Sequence, residues 1–132
     1  MTNGRSGLRF RWLLLGLALL CATPAAARTE RKLAYLRDEV FSCFVRLLRV
    51  DLDLKIEEKD RDGGYVLFEF RDPLYKRVSP ASMELVEVTS EATGTELKVV
   101  LDIKRASAAD EIALLDRLET KLKGELGKRG KR

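Results

Sequence analysis

Asp51-Leu-Asp-Leu-Lys-Ile-Glu-Glu-Lys-Asp-Arg-Asp-Gly-Gly-Tyr-Val-Leu-Phe-Glu-Phe70 is the stretch that decides the fold. Leu52, Leu54 and Ile56 alternate with Asp53, Lys55 and Glu57, the two-residue period of a half-buried strand. The polar run Glu58–Asp62 and the pair Gly63-Gly64 then read as a turn, and Tyr65–Phe70 is aromatic and apolar enough for a second strand. Two strands joined this closely form a hairpin.

Upstream the period changes. Leu33, Leu36, Val40, Cys43, Phe44, Leu47 and Leu48 recur at three- and four-residue steps, so an amphipathic helix is expected over about 30–49, capped by Thr29. Downstream, Asp72–Pro80 reads as a loop punctuated by Pro73 and Pro80. Two strands follow, near 82–90 and 95–104, joined by Ser90–Gly94, with a bulge expected where the apolar parity slips between Leu85 and Val86. Leu97, Val99, Leu101 and Ile103 mark the buried face of the last strand. Ser107-Ala-Ala-Asp110 has the form of a capping box and opens a helix over about 108–123, with Ile112, Leu115, Leu118 and Leu122 on its stripe and Leu114 beside it. The resulting order is α-β-β-β-β-α, an α+β two-layer sandwich in which two helices cover a four-stranded antiparallel sheet.

The first 27 residues read as an address. Arg5, Arg9 and Arg11 precede the apolar run Trp12–Cys21, and Ala22-Thr-Pro-Ala-Ala-Ala27 follows. That order is a secretory signal peptide with cleavage between Ala27 and Arg28. The run is short of the roughly 20 apolar residues a spanning helix needs. A retained anchor and lipidation of Cys21, which follows Leu20, are the alternatives. The expected organisation is a leader 1–27, a single domain 28–126 and a basic disordered tail 127–132, exported to the periplasm or beyond and free to associate with the outer membrane.

Cleavage also changes the charge. The precursor carries 25 basic and 21 acidic side chains, and the leader holds three of the bases and no acid, so the mature chain falls from +4 to +1. Four of its bases lie in the tail (Lys128, Arg129, Lys131, Arg132), leaving the body at −3. The high isoelectric point therefore belongs to the two ends, and no nucleic-acid partner is expected. The tail either touches anionic lipid, a peripheral membrane contact, or keeps its end soluble.

Motifs with chemistry are few. Glu58, Asp60, Asp62, Gly63 and Glu69 match positions of a calcium loop, but their flanks read as strands rather than helices, so a solvated turn is the better reading. Cys43 falls on the apolar face of its helix and, once Cys21 is removed, has no partner for a disulfide. The chain contains no histidine, which removes the usual triads and the commonest neutral-pH base. Asp51/Asp53 and Glu57/Glu58 sit in ordinary strand and turn settings, and Gly63-Gly64 leads into a strand instead of a phosphate-binding helix. No enzyme activity, metal or cofactor is expected. Tyr65, Leu74, Tyr75 and Val78 form the candidate contact patch for a partner protein, since both tyrosines adjoin loops. The edge at Glu91–Gly94 is open to pairing with another strand.

The run from Phe44 to Pro73, with Asp60-Arg-Asp-Gly-Gly-Tyr65 at its turn, resembles the helix-grip domains of the outer-membrane assembly lipoprotein family BamC (NlpB). There an amphipathic helix leads into a strand, a charged turn and an aromatic strand ending near Asp-Pro. The chain is also similar to short secreted proteins of Gram-negative bacteria. The resemblance implies a helix-grip-like fold and a non-enzymatic accessory role in the cell envelope, with an envelope protein as partner. The alternative function is a small-ligand or lipid carrier using a pocket between helix and sheet.

Overall fold

The computed structural model describes residues 28–92 and 94–128. The expected leader, including Ala27 of the cleavage pair, and tail residues 129–132 lie outside the described residues; Arg28 is the first of them. The element order is β1 (Thr29–Leu33), α1 (Arg37–Arg46) with a π-helical turn Leu47–Asp51, β2 (Ile56–Asp60), β3 (Tyr65–Arg71), β4 (Val78–Ser90), β5 (Gly94–Ile103) and α2 (Ala108–Leu126). All neighbouring strands are antiparallel, in the spatial order β1-β5-β4-β3-β2.

The α+β class holds, but the sheet has five strands, not four. The extra strand is β1, which the sequence reading placed in the first helix, with Thr29 as cap. Thr29, Arg31 and Leu33 turn toward the helix layer while Glu30 and Lys32 face solvent, a two-residue alternation. Pairing with β5 runs from Thr29↔Leu101 to Leu33↔Leu97. Cross-strand ion pairs Lys32–Glu96 (2.9 Å) and Lys98–Glu30 (3.1 Å) match the charges along that edge.

Other boundaries shift for local reasons. Helix α1 begins only at Arg37, where Glu39 accepts a hydrogen bond from the Leu36 amide (3.3 Å). Leu36 itself is exposed rather than in the core. The first hairpin strand starts at Ile56 instead of Leu52, because the π-helical turn carries the chain to Asp51 and Asp53 reverses it at φ 49°. The slip in register lies in β2, between Ile56 and Glu58, and β4 pairs without interruption through Leu85 and Val86. The loop after β3 is shorter than expected, since Val78–Pro80 already pair with β3.

Both helices lie on one face of the sheet. Val40, Cys43, Phe44 and Leu48 of the α1 region meet Val66, Phe68, Met83, Val99 and Leu101 of the sheet and Leu115, Leu118 and Leu122 of α2, all essentially without solvent. Phe44 and Phe68 pack edge to face, ring centres 5.6 Å apart. Ser107 caps α2 as expected, accepting from the Asp110 amide (3.3 Å). On α2, Leu114, Leu115, Leu118 and Leu122 are buried, but Ile112 is exposed and Glu111 takes its place at the start of the buried face. The Glu111 carboxylate accepts from the Thr29 hydroxyl (3.0 Å) and the Ile103 amide (2.9 Å), which locks the start of α2 to the ends of β1 and β5. At its other end, the Tyr35 hydroxyl donates to the Gly127 carbonyl (2.9 Å).

Candidate functional site

The helices leave the second face of the sheet uncovered. From β3 it presents Tyr65, Leu67, Glu69 and Arg71, because successive side chains of a strand point to opposite faces and Val66 and Phe68 take the inner one. Register places Leu67 beside Ser82, Ser82 beside Asp102, Glu69 beside Pro80, and Arg71 beside Val78. A groove of about 590 Å³ results. Its floor is Leu67, Val78 and Pro80; its walls carry Glu57, Glu69, Asp102 and Lys104.

The charges in this groove are mutually engaged. Lys104 pairs with Asp102 at 3.2 Å, and Lys55 lies 3.2 Å from Glu57 and 3.8 Å from Glu69. Hydrogen bonding with Glu69, then with Lys55, holds the Glu57 carboxyl below its ordinary pKa. Such an arrangement is a polar rim around an apolar strip, the composition of a contact surface.

The strip continues into the loop Asp72–Arg77. Leu74 is 84 % exposed and Tyr75 70 %, with Val78 half-exposed at the base. This loop is closed on itself: the Asp72 carboxylate accepts from the Leu74 (2.8 Å) and Tyr75 (3.3 Å) amides, and its carbonyl accepts from the Lys76 amide (2.8 Å). The Asp72 amide donates to the Arg77 carbonyl (2.9 Å), and the Arg77 guanidinium lies 5.3 Å over the Tyr75 ring.

Of the four expected patch residues, the structure gathers Leu74, Tyr75 and Val78. Tyr65 shares their face of the sheet but stands at the opposite end of β3, about 20 Å away at the rise of a strand. Its hydroxyl donates to the Glu58 carboxylate (2.8 Å), which raises the phenol pKa. Leu67 and Pro80, which the sequence reading did not single out, replace it. Only the strand register reveals them.

The other sequence candidates fall elsewhere. Glu58 and Asp60 lie in β2, Asp62 and Gly63 in the turn, and Glu69 in the groove wall. Asp60 accepts from the Gly63 amide at 3.0 Å, so it serves the turn. Among the described residues no group of His, Cys, Asp and Glu side chains is arranged to hold a metal ion. Cys43 is fully buried, and burial, reinforced by Glu125, pushes its thiol up to about 11, the behaviour of a core residue rather than a nucleophile. Asp51 pairs with Lys121 (2.9 Å), tying the π-helical turn to α2. No helix among the described residues is long and apolar enough to cross a membrane.

No protein-family model and no curated protein matches this chain. Among solved structures, the protein CV1439 from Chromobacterium violaceum is similar at 12 % identity and a TM-score of 0.38, over 80 % of this chain and all of that one. A likeness of that size carries no argument about function.

Proposed function

We propose that this domain is an exported, non-catalytic accessory module of the bacterial cell envelope that holds a partner protein on its open sheet face. The observation that carries the reading is the uncovered strip Leu67–Pro80–Val78 beneath a charged rim. A partner segment that brings an apolar side chain next to a cation fits it, since the three acids Glu57, Glu69 and Asp102 exceed the two bases Lys55 and Lys104 by one. The leader-like N-terminus and the resemblance of residues 44–73 to envelope assembly domains support the setting. The test is crosslinking of the tagged chain in intact envelopes, followed by mass spectrometry of what it retains, for the parent and for Leu67→Glu. Enrichment of barrel-assembly components that Leu67→Glu abolishes at unchanged melting temperature supports the reading. Retention of the same partners by Leu67→Glu overturns it.

A carrier is the second reading, and the groove volume favours it, because ligand sites commonly span about 300–1,000 Å³. Its place would be the open face, since Phe44, Phe68, Met83 and Leu118 fill the space between helices and sheet. Lipid that co-purifies in native mass spectrometry, with no protein retained, is its signature.

A further inference from the structure

The antiparallel register places charges of both signs at each end of the sheet, and one end holds cations without an acidic partner. The loop Asp72–Arg77 projects from one end. The turn Lys104–Arg105 leaves β5 at that same end, where the Lys104 amide donates to the Pro80 carbonyl (3.0 Å). Strand β1 starts there too, with Thr29 opposite Leu101, so Arg28 emerges beside them. This end therefore gathers Arg28, Lys55, Arg71, Lys76, Arg77, Lys104 and Arg105 against Glu57, Glu69, Asp72 and Asp102; Lys55 and Lys104 pair with the groove acids, whereas Arg28, Arg71, Lys76, Arg77 and Arg105 form no ion pair among the described residues. The loop's own acid, Asp72, spends its carboxylate on the Leu74 and Tyr75 amides. The opposite end carries Asp60, Asp62, Glu84, Glu87, Glu91 and Glu96 together with Lys32, Lys59, Arg61 and Lys98, of which Lys32, Arg61 and Lys98 are ion-paired.

We infer that the basic end is a docking surface for an anionic lipid bilayer, with Leu74 and Tyr75 entering the headgroup–acyl boundary and the surrounding cations on lipid phosphates. Two complementarities meet there. An exposed leucine and tyrosine at the tip of a loop held by four internal hydrogen bonds offer an apolar wedge that is already ordered. A collar of unpaired cations behind the wedge matches the negative potential of such a surface. Tyr75 suits the boundary because its ring is apolar and its hydroxyl polar. The inference goes beyond the partner reading, which uses the sheet face rather than the loop tip. A domain seated this way holds its groove upright from the membrane.

Flotation tests it, with the full chain purified in the form that cells accumulate. The probes are phosphatidylcholine vesicles with and without about 30 % phosphatidylglycerol, at about 0.1 M salt. The chain is expected to float with the anionic vesicles and to be released by added salt. Each cation is worth roughly fivefold in partitioning, so Lys76→Glu with Arg77→Glu should weaken binding at least 25-fold. Leu74→Ser with Tyr75→Ser should weaken it about tenfold. Val50→Ser, at a residue 74 % exposed on the helix layer, should leave it unchanged. Circular dichroism checks that each variant is folded, as substitution at exposed positions permits. Equal flotation with neutral vesicles, or undiminished binding by the Lys76/Arg77 variant, overturns the inference. So does absence of flotation with the anionic vesicles, and loss of a crosslinked protein in Leu74→Ser then makes the loop a protein contact. None of these outcomes depends on Leu67, so the groove reading stands or falls separately.

Discussion

Two connections flank strand β3, and the sequence dresses them alike: Arg61–Gly64 before it and Asp72–Arg77 after it are both short and charged. The fold treats them oppositely. The first is clamped to helix α1. Arg37 donates from Nη2 to the Asp62 carbonyl (2.6 Å) and packs against Gly64, while Arg61 donates to the Ser42 hydroxyl (3.0 Å) and lies 4.9 Å over the Phe41 ring. Among the described residues the second makes no hydrogen bond or ion pair to a helix; its hydrogen bonds all involve Asp72, which leaves Leu74 and Tyr75 in solvent. A turn whose polar groups bond to another element is spent on stability. One that satisfies its own backbone leaves its side chains for a partner.

The largest effect expected of this contrast is at Gly64. Its φ of 70° lies in the left-handed region, and a Cβ there would strike the Arg37 guanidinium. Gly64→Ala should cost about 2–3 kcal/mol in urea unfolding, combining left-handed strain with displacement of Arg37. A cost below about 0.5 kcal/mol, the range of ordinary surface substitutions, would mean that the first turn is no more tied down than the second.

Arg37→Ala ranks next, at about 1–2 kcal/mol, since it removes the bond to Asp62 and the side chain that covers buried Gly64. The Arg37 Nε is enclosed without an acceptor, which limits what the clamp contributes. Arg77→Ala in the other loop should change stability by less than about 0.5 kcal/mol, because its guanidinium meets only the exposed Tyr75 ring. Equal losses for the two arginines, read by the same denaturation, would erase the distinction.

Asp72→Ala should cost about 1 kcal/mol, the scale for losing a side-chain acceptor that satisfies local amides. The sharper readout is hydrogen exchange. The Leu74 and Tyr75 amides should lose protection in this variant while the Gly64 amide, which donates to the Asp60 carbonyl (2.8 Å), keeps it. Slow exchange at Leu74 in Asp72→Ala would show that something other than the carboxylate holds the loop.

How far the sequence revealed this depends on whether a signal is local. The Gly63-Gly64 turn, the aromatic strand after it and the Ser107 cap are written in neighbouring residues and appear where expected. Strand β1 is not. Thr29–Leu33 contains one apolar residue, and Leu33 continues the helical spacing of α1 as well as it serves a strand. What makes it a strand is the edge of β5, nearly 70 residues on. The same holds for the site. Leu74, Tyr75 and Val78 were legible because proline and polar neighbours mark a loop. Tyr65 was misplaced because closeness to a loop in sequence does not say which end of the sheet that loop occupies. Leu67 and Pro80 carried no signal at all, as their meeting requires the β3–β4 register. The Arg37 clamp was equally silent, since arginine at a helix start reads as ordinary solvated charge.

The smallest effect on stability is expected at the exposed tip of the second loop. Leu74→Ser removes a side chain that is 84 % exposed, so it gives up little packing and should move the unfolding midpoint by less than about 0.5 kcal/mol in free energy. Its backbone amide still donates to Asp72, so the loop keeps its shape. A slight gain is consistent with the comparison, because exposing a leucine to water favours no folded state. A loss beyond about 1 kcal/mol would place Leu74 in a contact that supports the fold, and the second connection would then resemble the first. Absence of that loss leaves an apolar tip that folding does not need, held out by a loop built around one aspartate, and its reason must be sought outside the chain.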